Sequence, residues 1–455
     1  MFIGRSVFTF AFAMVFALPA FAVDFSVNSS LDAGDVLPGD GVCQSANGSC
    51  TFRAAVQETN VLSGADTISF AFLGPTVITL SGGDVVINDD LVISGSKMPS
   101  DIRLVGSGST RVLTILRSGI SVTVRGLTIS NGFAGGSSNG GGVFVQSANL
   151  SLENVVVRDN IAGANGGGVY SGTGVFRFIN SSAINNLAQG NGGGGGLSYG
   201  GNGSLIQRSV ISGNQAPRGG GGVEISGGTS TILETTIENN STNGGGGGVL
   251  ALFSTATINR STIANNTAYR SGGGVALPYG NVTLINSTVS GNRATNGGGG
   301  GINTGENGTV GYITVRSSTV VNNTALYSGG VTGGFAQSVS IGNSILSANV
   351  ALNGPNILSE FTSLGGNLVS DRSGSSGYLT SDLPDGTNPM LGPLANNGGL
   401  TRTHALLPGS PAINSGSNGG AADLATDQRG KGFSRFVDGT IDVGSFEVGT
   451  KTGSR

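Results

Sequence analysis

Charge is scarce in this chain of 455 residues. Acidic and basic side chains make up 10% of it, 22 Lys and Arg against 25 Asp and Glu, so no basic field exists to hold a nucleic acid backbone or an anionic bilayer. Histidine is scarcer still, with His404 alone, and cysteine stops at Cys43 and Cys50. Two thiols and one imidazole make a poor ligand set, so neither a metal nor a cofactor is expected. Long apolar runs are missing as well, apart from one at the amino end. There Arg5 precedes an apolar stretch from Val7 to Leu18, and Ala20-Phe21-Ala22 closes it. That order reads as a secretory signal over residues 1–22, cleaved after Ala22. As a membrane anchor the run is shorter than the roughly 20 residues that span a bilayer. No membrane span is therefore expected after cleavage, and the two cysteines in an exported chain are expected to close a disulfide, Cys43 to Cys50.

Glycine is what the chain has in excess, 84 residues against a usual share of about 7%. The glycines are clumped. A run closed by an apolar residue returns at Val143, Val169, Leu197, Val223, Val249, Val275, Ile302 and Val331, in steps of 26, 28, 26, 26, 26, 27 and 29 residues. An asparagine keeps the same beat at Asn160, Asn186, Asn214, Asn240, Asn266, Asn292, Asn323 and Asn349. Two markers once per unit mean a solenoid, in which each unit stacks on its neighbours because it cannot bury an apolar face alone.

The chain in order starts with a short strand over 25–28 and a polar loop to Cys50. Phe52, Ala55, Val56 and Thr59 then take a helical spacing, with Thr51 as N-cap. A helix laid across the open end of a solenoid covers its strand edges, so residues 23–62 are read as an amino-terminal cap. Phe25-Ser26-Val27-Asn28-Ser29, Pro38-Gly39-Asp40-Gly41-Val42-Cys43 and Cys50-Thr51-Phe52-Arg53-Ala54-Ala55-Val56-Gln57-Glu58 resemble the CSLREA domain that precedes β-helix repeats in exported bacterial proteins. Ala54 stands where that family's name has Glu. From Asp66 to Ser130 short strands succeed one another at about three per coil.

Counting back from each ladder asparagine shows how a coil is built. Eight positions before it stand Leu152, Phe178, Ile206, Ile232, Ile258, Leu284, Val315 and Ile341; three before it, Val157, Ala183, Ile211, Ile237, Ile263, Val289, Val320 and Leu346. Both columns are core. With two or three strands per coil of about 26 residues, residues 63–351 are expected to form a right-handed parallel β-helix. The asparagines are expected to take a left-handed turn themselves and to bond amide to amide between coils. Five before them runs a column of small polar residues, Ser181, Ser209, Thr235, Ser261, Ser287, Ser318 and Ser344, read as a second structural ladder.

The repeat fades near Leu352 and proline gathers. Gly392-Pro393-Leu394-Ala395-Asn396-Asn397-Gly398-Gly399, Thr403-His404-Ala405-Leu406-Leu407-Pro408-Gly409-Ser410-Pro411-Ala412-Ile413, Thr426-Asp427-Gln428-Arg429-Gly430 and Ile441-Asp442-Val443-Gly444-Ser445-Phe446-Glu447 resemble the choice-of-anchor Q domain. Residues 352–455 are read as that region, with His404 structural and Asp427, Arg429 and Asp442 pairing to fix loops.

Chemistry is harder to find. Six before each ladder asparagine, alternation points the side chain outward, and Arg208, Glu234 and Arg260 fall there on three successive coils. Such a stack is either a charge-compensated surface or a site where arginine meets a uronate. A hydrolase needs carboxylates facing one cleft, yet the glycine-marked coils from Gly140 to Val331 hold only Glu153, Asp159, Glu224, Glu234, Glu238 and Glu306. The expected function is an exported or cell-surface β-helix that presents its repetitive surface to a glycan or another cell, without catalysis. The alternative is a polysaccharide lyase or glycoside hydrolase of the pectin-lyase-like fold, with Arg208, Glu234 and Arg260 as candidate catalytic residues.

Overall fold

The computed structural model describes residues 22–305, 309–334 and 337–449. The leader expected over 1–22 lies outside them except for Ala22. From Asp24 onward the chain winds into a right-handed parallel β-helix of four sheets with 13, 12, 8 and 12 strands, each pairing strands from successive coils. One coil shows the plan: Thr255–Asn259 in the first sheet, Thr262–Ala264 in the second, Thr267–Ala268 in the third and Val275–Ala276 in the fourth. The expectation of two or three strands per coil holds only for the early coils. The third sheet, made largely of two-residue strands, starts at Phe133–Ala134, and pairs that short carry too little alternation to be read beforehand.

Equivalent residues stack in register, Ile232 on Ile258 on Leu284 in the first sheet and Ile237 on Ile263 on Val289 in the second. Both anticipated core columns are buried throughout, as is the column of apolar residues that closes the glycine runs. Together they form one apolar core from Phe25 to Val369. At its amino end the helix Phe52–Thr59 buries Phe52, Ala54, Ala55 and Val56, and Thr51 Oγ1 caps it by accepting from the Ala54 N–H at 3.1 Å. Cys43 and Cys50 are disulfide-bonded in the loop before it.

The asparagines form a continuous ladder inside the rod. Asn240 is typical: Nδ2 donates to Oδ1 of Asn266 and to the carbonyl of Ile211, both at 2.9 Å. Its Oδ1 accepts from the main-chain N–H and the Nδ2 of Asn214, again at 2.9 Å. The left-handed turn, however, belongs to the residue before: Asp159, Asn185, Gly213, Asn239, Asn265, Gly291, Asn322 and Ala348 have φ between 53° and 69°. That turn swings the next asparagine inward, where burial makes its four bonds valuable. The serine column is a second internal ladder, in which each Oγ accepts the N–H of the coil before it, as Ser261 does from Thr235 at 3.1 Å.

Strands continue past the last glycine marker to Ser375–Ser376, and the ladder continues through Asn349 to Asn356. Asp382 closes that end, accepting from Ser363 Oγ, from the main-chain N–H and Nδ2 of Asn367, and from the Leu379 N–H. The chain then turns back along the outside of the second sheet. Thr262 donates to the Arg402 carbonyl and Thr288 to Gln428 Oε1, each at 2.6 Å, while Thr319 Oγ1 accepts from the Ser445 N–H at 3.0 Å. Val321, Ile345 and Leu368 of the rod meet Leu406, Ala412 and Val443 in a second apolar cluster. Val210, at the equivalent outward position of an earlier coil, is 38% exposed; Thr262 and Thr288 are fully buried.

Candidate functional site

Arg208, Glu234 and Arg260 do stack on successive coils. Their column is not an alternating strand position but the corner between the first and second sheets, where φ is 50°, 51° and 47°. Asparagine occupies this left-handed corner at Asn154, Asn180, Asn286 and Asn343, as its short amide permits. Arg208 Nε donates to Glu234 Oε2 at 2.8 Å, and Arg260 donates to Oε1 through Nη2 at 2.9 Å and Nε at 3.1 Å. Burial alone would raise the Glu234 carboxyl. The hydrogen bond from Arg208 and the charge of Arg260 outweigh it and hold the group below the usual carboxylate range. Further along the column Asn286 and Asn343 lie under the returning segment, bonded to the carbonyls of Thr426 and Ser417.

The remaining carboxylates of the glycine-marked coils, from Gly140 to Val331, do not converge. Glu153 pairs with Arg125, Asp159 with Arg158 and Glu238 with Arg402; Glu306 lies outside the described residues. Glu224 is buried beside Gly193 and Gly219 with Ser226 Oγ as its hydrogen-bond donor, and burial raises its carboxyl. Among the described residues no three His, Cys, Asp or Glu side chains are grouped to hold a metal. His404 is buried between the returning segment and the rod, with Nδ1 2.7 Å from the Gly392 carbonyl and Nε2 2.9 Å from Ser290 Oγ. Burial lowers its pKa, so the imidazole is neutral and acts as a pin.

Asp427 and Arg429 pair at 2.6 Å, whereas Asp442 accepts from the Asn414 and Val448 N–H groups. Arg435, which the sequence did not single out, is the fully buried cation of this region, and its Nη2 reaches the carbonyls of Asp442 and Gly444 at 2.7 Å. Glu447 lies 3.9 Å away, and burial pushes its carboxyl up to about 8.

Besides a cavity of about 580 Å³ beside Arg402 and His404, open grooves lie on the outer faces of the sheets. Two adjoin on the outer face of the first sheet, of about 330 and 380 Å³, and share Arg177. Thr229, Thr231, Thr255 and Thr257 line one, Ser121, Thr123, Asn149 and Ser151 the other. Another, of about 470 Å³, runs along the third sheet past Gln189, Gln215, Asn243 and Tyr269. Side chains that alternate outward along a strand stand one coil apart in register, so the two first-sheet grooves present rows of hydroxyls and an amide, interrupted by Leu205 in one and by the Glu153 carboxylate in the other. Serine and threonine spaced two apart in the first-sheet strands were the available signal for it.

No family model matches the chain, and no curated protein does. Among solved structures the chain is similar to pectate lyase Pel9A, at 14% identity over 93% of this chain and 96% of that one, with a TM-score of 0.48. It is also similar to the A-module of the Azotobacter vinelandii mannuronan C-5 epimerase AlgE6, at 14% identity over 74% and 93% of the two chains, TM-score 0.33. A mannuronic acid specific polysaccharide family 6 lyase from human gut microbiota matches at 12% identity over 80% and 92%, TM-score 0.38.

Proposed function

We propose that this protein is an exported β-helix that binds acidic polysaccharide on the outer face of its first sheet and leaves the glycan chain intact, as an adhesive or displayed surface protein. The observation that carries this is the pair of hydroxyl-lined grooves meeting at Arg177, a solvent-exposed guanidinium with no ion-pair partner among the described residues. Rows of hydroxyls match the hydroxyls of a sugar chain, and a lone guanidinium matches a uronate carboxylate in bidentate fashion. Export is supported by the leader pattern, by the disulfide and by the resemblance of the two terminal regions to the CSLREA and choice-of-anchor Q domains.

The Arg208–Glu234–Arg260 stack is read as structure. Both oxygens of Glu234 accept guanidinium hydrogen bonds and its carboxyl is held below the usual carboxylate range, which leaves it no proton to donate and makes it a weak base. The test is affinity electrophoresis in polygalacturonate and alginate, with Arg177→Ser beside the wild type. Loss of one charged hydrogen bond predicts about a tenfold weaker retention. Absence of retention by the wild type, or new reducing ends or unsaturated uronates after incubation, would overturn the reading.

A further inference from the structure

Phe253 stands at the corner between the fourth and first sheets, two residues before Thr255 of the groove wall. It has φ of 48° and is 72% exposed. A bulky residue in the left-handed region is an outlier that something must maintain. Gly227, one coil earlier, has φ of 99° at the same corner, as the geometry prefers. The ring of Phe253 lies parallel to that of Tyr279 on the next coil, with centroids 4.8 Å apart and planes inclined by 7°. Stacking coil upon coil turns the free face of Phe253 along the rod, towards Gly227. The space beside the Gly227 backbone is open: apart from its chain neighbours, a Cβ there would meet only the Phe253 carbonyl oxygen within 4 Å, at 4.0 Å.

An apolar ring face, an open shelf before it and a wall of threonine hydroxyls beside it form an amphipathic slot. A pyranose has that same division, with axial C–H bonds on its faces and hydroxyls round its edge, and an aromatic backed by a second ring presents a rigid platform to it. We infer that Phe253, backed by Tyr279, is a sugar-stacking subsite that holds one pyranose ring over Gly227, next to the groove of Thr229 and Thr255. This deepens the glycan reading and rests on it. Arg177 would choose the charge of the ligand, and Phe253 would supply affinity that is indifferent to charge.

Phe253→Gly separates this from a structural stack. Glycine relieves the backbone strain and removes the platform together. A subsite predicts at least tenfold weaker binding of both polygalacturonate and a neutral xylan, with a melting temperature equal to or above the wild type. Should the melting temperature fall by several degrees, the ring pair is holding the coils together and the inference fails. Retention of wild-type affinity would also remove the subsite while leaving the groove standing. If the wild type binds neither probe, the subsite and the groove reading fall together, whereas loss confined to Arg177→Ser strikes the subsite alone.

Discussion

Gly248 lies against Asn266: a methyl group on that glycine would sit 3.0 Å from the asparagine Nδ2 and 2.8 Å from the carbonyl oxygen of Gly274. The same contact recurs between Gly168 and Asn186, Gly196 and Asn214, and Gly222 and Asn240. The two markers keep one beat along the chain because they touch inside the rod. Gly248→Ala should therefore cost about 1–3 kcal/mol, since the backbone oxygen of the next coil has nowhere to move. Gly74→Ala, where an added Cβ meets nothing within 4 Å, is the control and should melt as the wild type does.

Removing the amide instead leaves the partners of Asn240 unmatched. Asn240→Leu keeps the forked shape, with somewhat greater bulk, but strips the N–H and Nδ2 of Asn214, the Oδ1 of Asn266 and the carbonyl of Ile211 of a bond each. Buried groups without partners cost on the order of 1–3 kcal/mol, so denaturant unfolding should show a loss of about 3 kcal/mol. A midpoint unchanged from wild type would mean that water reaches the ladder.

Glu447 makes the returning segment sensitive to pH. Its carboxyl titrates near 8 when folded, because of burial, against an ordinary value of 4.5. Between those values the folded chain holds a proton that the unfolded chain has released. Stability from this group is thus greatest in acid and declines as pH rises through the interval. Glu447→Gln retains an acceptor for the Asp442 N–H, which Glu447 Oε2 now serves at 3.0 Å, and cannot ionise. The variant should lose less stability than wild type between pH 5 and 8, read as melting temperature at each pH. Parallel curves for the two proteins would place the sensitivity elsewhere.

The rod was legible because every coil repeats one pattern: Ile206, Ile232 and Ile258 occupy one position on three successive coils, and period shows through noise. The docking of the returning segment was not. Thr262 meets Arg402 and Thr288 meets Gln428 across 140 residues, and a threonine that will be covered looks like one that faces water. Nor was the corner legible at Arg208. A left-handed φ is ordinarily announced by glycine or asparagine, and at Arg208, Glu234 and Arg260 the geometry comes from the neighbouring coils rather than from the residues themselves. The asparagines at Asn154, Asn180, Asn286 and Asn343 were the clue, since they mark a turn more readily than a strand. Phe253 hides for the same reason, one corner away.

That corner also decides how the charge stack should be tested. Replacing Arg208, Glu234 and Arg260 together by asparagine gives three coils the residue that four others already carry, in the backbone conformation asparagine tolerates best. The stack loses three ionic hydrogen bonds, partly exposed and screened, worth about 1 kcal/mol or less as pairs; the corners shed the strain of holding long side chains at positive φ. These two changes oppose each other. The triple variant should therefore unfold within about 1 kcal/mol of wild type and bind polygalacturonate with unchanged affinity. A single Glu234→Gln behaves differently, because it leaves two guanidiniums facing each other across a neutral amide, and it should be the less stable protein. Should the triple variant keep its melting temperature but lose glycan binding, the stack would be a site after all, and Arg208, the most exposed of the three at 52%, would be the residue that touches the ligand.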